Sequence, residues 1–94
     1  MTPDQIYFFN LIQQSPISGF ILSHFDQKER ICDIEKAKRS IGTASSGEAY
    51  LLKFFINVWS GCEEFPIDLV GMSRSLDRVH LQIIASWFAK PIYP

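Results

Sequence analysis

The stretch AYLLKFFINVWSG, residues 49–61, carries a single charge, on Lys53. On a helix, Lys53, Asn57 and Ser60 share one narrow polar arc, and large apolar side chains cover the rest of the circumference. A helix that is apolar on nearly every side is normally enclosed by its neighbours. Residues 49–62 number only 14, against about 20 for a membrane span. The sequence therefore predicts a central, buried helix and no membrane anchor.

Start and stop signals divide most of the remaining chain into further helices. Thr2-Pro3-Asp4-Gln5 combines a capping residue, a proline at the first helical position and a capping box. Ser45 and Glu48 form the same box ahead of the central helix, and Asp77 is a suitable cap for a last helix. These signals predict helices over 3–14, 45–60 and 77–89, a short helical turn over 66–69, a break over 71–75 and an extended tail.

The segment from 16 to 41 suits two different structures. A helix ending near Asp26, followed by another over 27–41, agrees with the capping pattern of Asp26-Gln27-Lys28-Glu29. A hairpin that pairs 20–25 with 30–34 agrees with the length of the first run and with Gly19. We expect the helices. The overall prediction is an all-α single domain over 1–94, with four main helices and one or two short ones; the alternative is an α+β fold with a hairpin at about 18–35.

Composition argues against several classes of function. Nine basic and ten acidic residues leave a net charge of −1, whereas nucleic-acid-binding domains normally show a basic excess. A nucleic-acid-associated regulator using Lys36, Lys38 and Arg39 is kept as the alternative function. Two cysteines are too few for a disulfide framework. The first ten residues lack a basic region before their apolar run, which predicts no signal peptide and a cytoplasmic protein.

His80 is the first residue to test for chemistry, because it falls within the apolar arc of the last predicted helix. No serine or cysteine has a recognisable nucleophile context, so we expect a structural histidine hydrogen-bonded to backbone. His24, Cys32, Cys62 and His80 lack the close ligand pairs of zinc sites. We therefore expect no catalytic, cofactor-binding or metal-binding residues, and no enzyme.

Aromatic residues are abundant for so short a chain: eight Phe, three Tyr and two Trp among 94 residues. A domain of this size buries only about 60–65% of its unfolded surface, so some rings should remain exposed unless a second chain covers them. This favours a protein partner or a homo-oligomer. The predicted contact surface combines aromatic anchors with an acidic rim: Trp87, Phe88, Tyr93, Glu63, Glu64 and Asp68.

Four short motifs follow one another between Phe54 and Pro94: FFINVWSG, FPIDL, SLD and ASWFAKPIYP. This half of the chain resembles small accessory proteins of phages and other mobile elements. Those proteins often show an aromatic helix ending in W-x-G, a hydrophobic-Asp-Leu turn and a C-terminal W-x-x-x-P tail. The resemblance implies a non-enzymatic protein that modulates host machinery, a group that includes inhibitors of bacterial defence, and it brings no catalytic residues.

Overall fold

The computed structural model describes all 94 residues and confirms a mostly helical bundle. It contains six helices and one antiparallel hairpin of two short strands. In chain order the elements are α1 (Pro3–Gln13), α2 (Ser18–Leu22), β1 (Phe25–Asp26), β2 (Ile31–Cys32), α3 (Ile34–Thr43), α4 (Ser46–Ser60), α5 (Leu69–Ser75) and α6 (Arg78–Ala89). No helix combines the length and the apolar character that crossing a bilayer requires.

The central position predicted for the apolar helix is confirmed. α4 packs against both α3 and α5. On another side Phe55 meets Phe8 of α1 edge to face, with ring centres 5.7 Å apart, and Phe54 meets Trp87 of α6 at 5.8 Å. Six of the 15 side chains of α4 are buried. The apolar circumference thus reflects burial by several neighbours.

Three of the predicted helix starts are confirmed by their hydrogen bonds. Thr2 and Gln5 form a reciprocal capping box at α1, and Ser45 and Glu48 form one at α4. The Asp77 side chain accepts from the backbone N–H of His80 and caps α6. These caps satisfy amide groups that the first turn of a helix would otherwise leave unpaired.

Two helices are present between residues 16 and 43, as predicted, but they are shorter than expected, because α2 ends at Leu22 and a short form of the hairpin alternative follows it. Phe25 pairs with Cys32 and Asp26 with Ile31. Asp26 Oδ1 does accept the amides of the second and third residues after it, at 3.1 and 3.0 Å, but this cap-like pattern closes a hairpin loop and no helix follows. The next helix, α3, begins only at Ile34.

The break predicted over 71–75 is also wrong, because these residues belong to α5. Asp68 caps this helix by accepting from Val70 N. Gly71 faces α4 so closely that a Cβ atom there would overlap the Tyr50 hydroxyl. The glycine therefore permits a close helix contact and does not end the helix.

The C-terminal residues are extended, as expected, and they lie back over the bundle. Ile92 is buried, and its carbonyl oxygen accepts from Trp87 Nε1 at 3.1 Å. Gln5 Nε2 donates to the Pro94 carbonyl at 3.4 Å. The tail thus connects α6 to the start of α1.

Candidate functional site

A groove of about 460 Å³ opens between the C-terminal half of α4, the loop after it, α5, α6 and the tail. We call it the α4–α6 groove. Three quarters of its twelve lining residues are apolar. Its principal apolar walls are Phe54, Val58, Leu69, Trp87, Phe88 and Tyr93. An apolar concavity between helices of a bundle is a usual place for a binding site.

One wall of the α4–α6 groove is a chain of aromatic rings. Trp87 lies edge to face with Phe54 and Phe88, at ring-centre distances of 5.8 and 5.1 Å, and 6.5 Å from Tyr93. The indole is half-buried, and its bond to the tail fixes it in place. Phe88 and Tyr93 are instead 59% and 74% exposed, and Leu69 opposite them is 68% exposed. The groove therefore has a fixed floor and an apolar rim open to solvent.

The polar groups of Asn57 and Trp87, which lie deeper in the groove, are already engaged within the chain. Asn57 Nδ2 donates to the Phe65 carbonyl at 2.8 Å, and Asn57 Oδ1 accepts from Phe65 N at 2.9 Å. The indole N–H of Trp87 is used by the tail. The polar groups that remain for a ligand belong to exposed residues at the edge of the groove: the Tyr93 hydroxyl, the Glu63 carboxylate and the backbone amides of Cys62 and Glu63.

Only one of the three acidic residues of the predicted rim lines the groove. Glu63 lines the groove and is its only charged side chain. Asp68 caps α5 beside the groove, with its Oδ1 atom 3.2 Å from Val70 N. Glu64 lies close enough to Cys32 for its charge to raise the pKa of that thiol, and it does not line the groove. Of the six predicted contact residues, four line the groove: Trp87, Phe88, Tyr93 and Glu63.

His80 is part of a side-chain hydrogen-bond chain, contrary to the expected bond to backbone. Its Nδ1 atom lies 2.9 Å from Asp77 Oδ1, and its Nε2 atom lies 2.7 Å from Ser15 Oγ. In the tautomer that donates from Nδ1, the Ser15 hydroxyl donates to Nε2. These spacings match those of a hydrolase triad. Ser15 and His80 are 65 positions apart, so no local motif in the sequence indicates the pair.

The surroundings of the Ser15–His80–Asp77 chain favour a structural role. Ser15 and His80 are both buried, and Ser15 Oγ also accepts from Ile17 N at 3.1 Å. None of the three main surface cavities is lined by Ser15 or His80. This hydrogen-bond chain joins the end of α1 to the start of α6. It also provides partners for buried polar groups, which would be unfavourable if left unpaired.

His24 forms a second buried polar link. Its Nδ1 atom lies 2.9 Å from the Phe20 carbonyl oxygen, and its Nε2 atom lies 2.8 Å from Ser40 Oγ. Burial lowers the pKa of His24 below the ordinary 6.5, and Lys36 lowers it further, against the opposing effects of the Phe20 and Ile21 carbonyls and Asp33. The neutral imidazole therefore connects α2 to α3.

The remaining candidate groups do not converge on a site. Burial, reinforced by Asp33 and Glu64, raises the pKa of Cys32 to about 11, so this thiol is a poor nucleophile at neutral pH. No three His, Cys, Asp or Glu residues are grouped as metal ligands. Lys36 Nζ donates to the Ser23 carbonyl at 2.6 Å, and Lys38 pairs with Glu35 at 3.5 Å. Two of the three residues of the predicted basic patch are thus engaged within the chain.

Comparison of the chain with protein-family profiles, curated proteins and solved structures finds no match.

Proposed function

We propose that this chain is a non-enzymatic protein-interaction module that holds a partner protein in the α4–α6 groove. The observation that carries the proposal is the continuity of exposed apolar side chains with a preformed concavity: Leu69, Phe88 and Tyr93 surround the groove and are more than half exposed. Exposed apolar patches with a polar border mark interaction sites on globular proteins. Rigid aromatic anchors also carry much of the binding energy at protein interfaces.

The resemblance of residues 54–94 to accessory proteins of phages and mobile elements indicates the class of partner. The partner would be a cytoplasmic host protein, such as a component of a defence complex, whose working surface the module occludes. Two free cysteines agree with a reducing compartment. The nucleic-acid alternative gains no support, because Lys36 and Lys38 already bond within the chain.

The test compares two variants that remove equally exposed apolar side chains. Phe88→Gln removes a ring from the groove, and Ile31→Gln removes a side chain that is 57% exposed on the hairpin. Tagged forms of the wild type and of both variants are recovered from the native host, and co-purifying proteins are quantified by mass spectrometry. Circular dichroism verifies that each variant is folded.

We expect at least one host protein to co-purify with the wild type and with Ile31→Gln but not with Phe88→Gln. Equal recovery of every associated protein with both variants would overturn the proposal. Trp87→Ala is unsuitable for this test, because Trp87 also holds the tail and its loss would disturb the fold.

A further inference from the structure

Charge in the α4–α6 groove has a single sign. Glu63 is the only charged side chain among its lining residues, and Asp68, which caps α5 next to the lining residue Leu69, is also acidic. No lysine or arginine lines the walls. A complementary ligand therefore presents a cation where its apolar surface meets Glu63.

The negative charge of the groove also makes a second copy of this chain an unfavourable ligand. A two-fold dimer that closed groove against groove would bring the same residues of both copies into one interface. Both Glu63 carboxylates would then lie between apolar walls with no cation from the groove to compensate them. Like charges placed in this way disfavour association.

Hydrogen bonding in the groove distinguishes between a helical and an extended ligand. An extended or proline-rich segment leaves backbone carbonyl groups that need donors from the receptor. The side-chain donors nearest the floor, Asn57 Nδ2 and Trp87 Nε1, are both bonded to backbone oxygens of this chain. The donors left unbonded, the Tyr93 hydroxyl and the amides of Cys62 and Glu63, belong to exposed residues at the edge, so an extended segment along the floor would keep unpaired carbonyl groups. A helix satisfies its own backbone and requires only an apolar face and a fitting width.

We propose that the α4–α6 groove binds an amphipathic helix of another protein, whose apolar stripe faces Phe88 and Leu69 and whose flanking lysine or arginine pairs with Glu63. This inference rests on the proposed function and specifies its ligand. The partner helix places apolar side chains at positions i, i+4 and i+7, with the cation next to this stripe.

A random peptide library displayed on phage tests the ligand without assuming its structure. The library is selected against the wild type, Glu63→Lys, Glu64→Lys and Phe88→Gln. Glu64→Lys is the matched control, because it makes the same charge change one residue away and outside the groove. The best wild-type peptide is then synthesised, its affinity for all four proteins is measured by fluorescence anisotropy, and its bound conformation is determined by NMR.

We expect the wild type and Glu64→Lys to select helical apolar spacing with a flanking Lys or Arg, and Glu63→Lys to select Asp or Glu in its place. The wild-type peptide should bind Glu63→Lys about 3- to 10-fold more weakly than the wild type, the range expected when one exposed ion pair becomes a repulsion. Phe88→Gln should select neither pattern. Selection of proline-rich or extended peptides, no charge preference, or a preference unchanged by Phe88→Gln would each overturn the inference.

Two further outcomes separate this inference from the proposed function. If no peptide is selected while a Phe88-dependent host protein is recovered, the helix inference fails and the interaction function stands. If light scattering shows that the chain self-associates and Phe88→Gln abolishes the association, the groove binds a second copy and the inference fails.

Discussion

Gly71 of α5 lies directly against the side chain of Tyr50 in α4. A methyl group there would overlap the Tyr50 hydroxyl and come within 2.7 Å of Asp68 Oδ2. The Tyr50 ring packs against the core and Asp68 caps α5, so a shift of either side chain would disturb this packing or this cap. We expect Gly71→Ala to lower the free energy of unfolding by about 1–3 kcal/mol, as overpacked sites do, measured by urea denaturation.

Gly42→Ala is the control for this prediction. Gly42 lies in α3, and a Cβ atom there would have nothing within 4 Å. Alanine in a helix is favoured over glycine by about 0.5–1 kcal/mol, so this variant should be slightly more stable than the wild type. Equal effects of the two substitutions would show that helix propensity, and not the contact with Tyr50, decides the result at Gly71.

The lowered pKa of His24 predicts how the free energy of unfolding depends on pH. Burial lowers the pKa of the folded imidazole below 6.5, so the unfolded chain takes up the proton first as pH falls. The contribution of His24 to stability is therefore complete above pH 6.5 and is lost as pH falls through the lowered folded pKa. We expect the free energy of unfolding to fall between pH 7.5 and 5, and to fall less in His24→Asn, because carboxylate contributions are common to both proteins. An NMR titration of the ring proton that places the folded pKa at or above 6.5 would contradict this account.

At the level of secondary-structure elements, the hairpin shows why the local sequence is insufficient to predict the structure of residues 16–41. The capping pattern Asp26-Gln27-Lys28-Glu29 provides hydrogen bonds that serve an Asx turn as well as a helix start. What decides between them is the packing of Phe25 against Phe8 and Trp59, with ring centres at 5.6 Å in both pairs. That contact joins residues far apart in the chain, so periodicity within 16–41 cannot indicate it.

Arg30, at the end of the hairpin loop, has a φ of 57°, a left-handed conformation that costs a residue with a side chain about 1–2 kcal/mol. Glycine adopts this conformation without that cost. We expect Arg30→Gly to raise the free energy of unfolding by up to about 1 kcal/mol, since part of the gain is lost to the greater entropy of the unfolded chain. Lys28→Gly in the same loop, where φ is not positive, should lower it. A loss of stability in Arg30→Gly as large as that in Lys28→Gly would contradict this reasoning.

The link between α1 and α6 depends on Ser15. Ser15→Ala removes the partner of His80 Nε2 and of Ile17 N in a buried position. We expect a loss of about 1–3 kcal/mol, the usual cost of leaving buried polar groups unpaired. Ser73→Ala is the control, because Ser73 is exposed and bonds only to the carbonyl of Val70 in its own helix. Thermal unfolding of both variants measures the difference. Equal melting temperatures would count against a structural role for the Ser15–His80–Asp77 hydrogen-bond chain.

For the whole molecule, the sequence predicts aromatic anchors but not the groove that contains them. Trp87, Phe88 and Tyr93 are close in the chain, and an aromatic excess in a short domain indicates exposure in general. Leu69 also lines the groove, and it belongs to α5. The sequence does not predict this helix, because Gly71 indicates a break there. Which apolar residues stay exposed depends on how α5, α6 and the tail pack together, and this is a property of the tertiary structure alone.

The tail couples the stability of the bundle to the shape of the groove. Ile92 is buried, its carbonyl oxygen holds the indole of Trp87, and Gln5 of α1 bonds to the last residue. Ile92→Ala should cost about 2–5 kcal/mol, as for other large apolar side chains replaced in a core. In a domain of this size each kcal/mol lowers Tm by about 4–8 °C.

Tyr93→Ala is the matched control for Ile92, because it changes the next residue, whose ring lies at the groove rim and is mostly exposed. We expect this variant to keep Tm within a few degrees, about the effect of a surface substitution, and to weaken partner binding. Ile92→Ala should instead lower Tm and shift tryptophan emission to the red as the Trp87 ring is freed. If Ile92→Ala left both Tm and emission unchanged, the tail would not be docked, and Tyr93 could not be a fixed part of the α4–α6 groove. The stability of residues 91–94 on the bundle is therefore a precondition for the interaction function, and it is measurable before any partner is known.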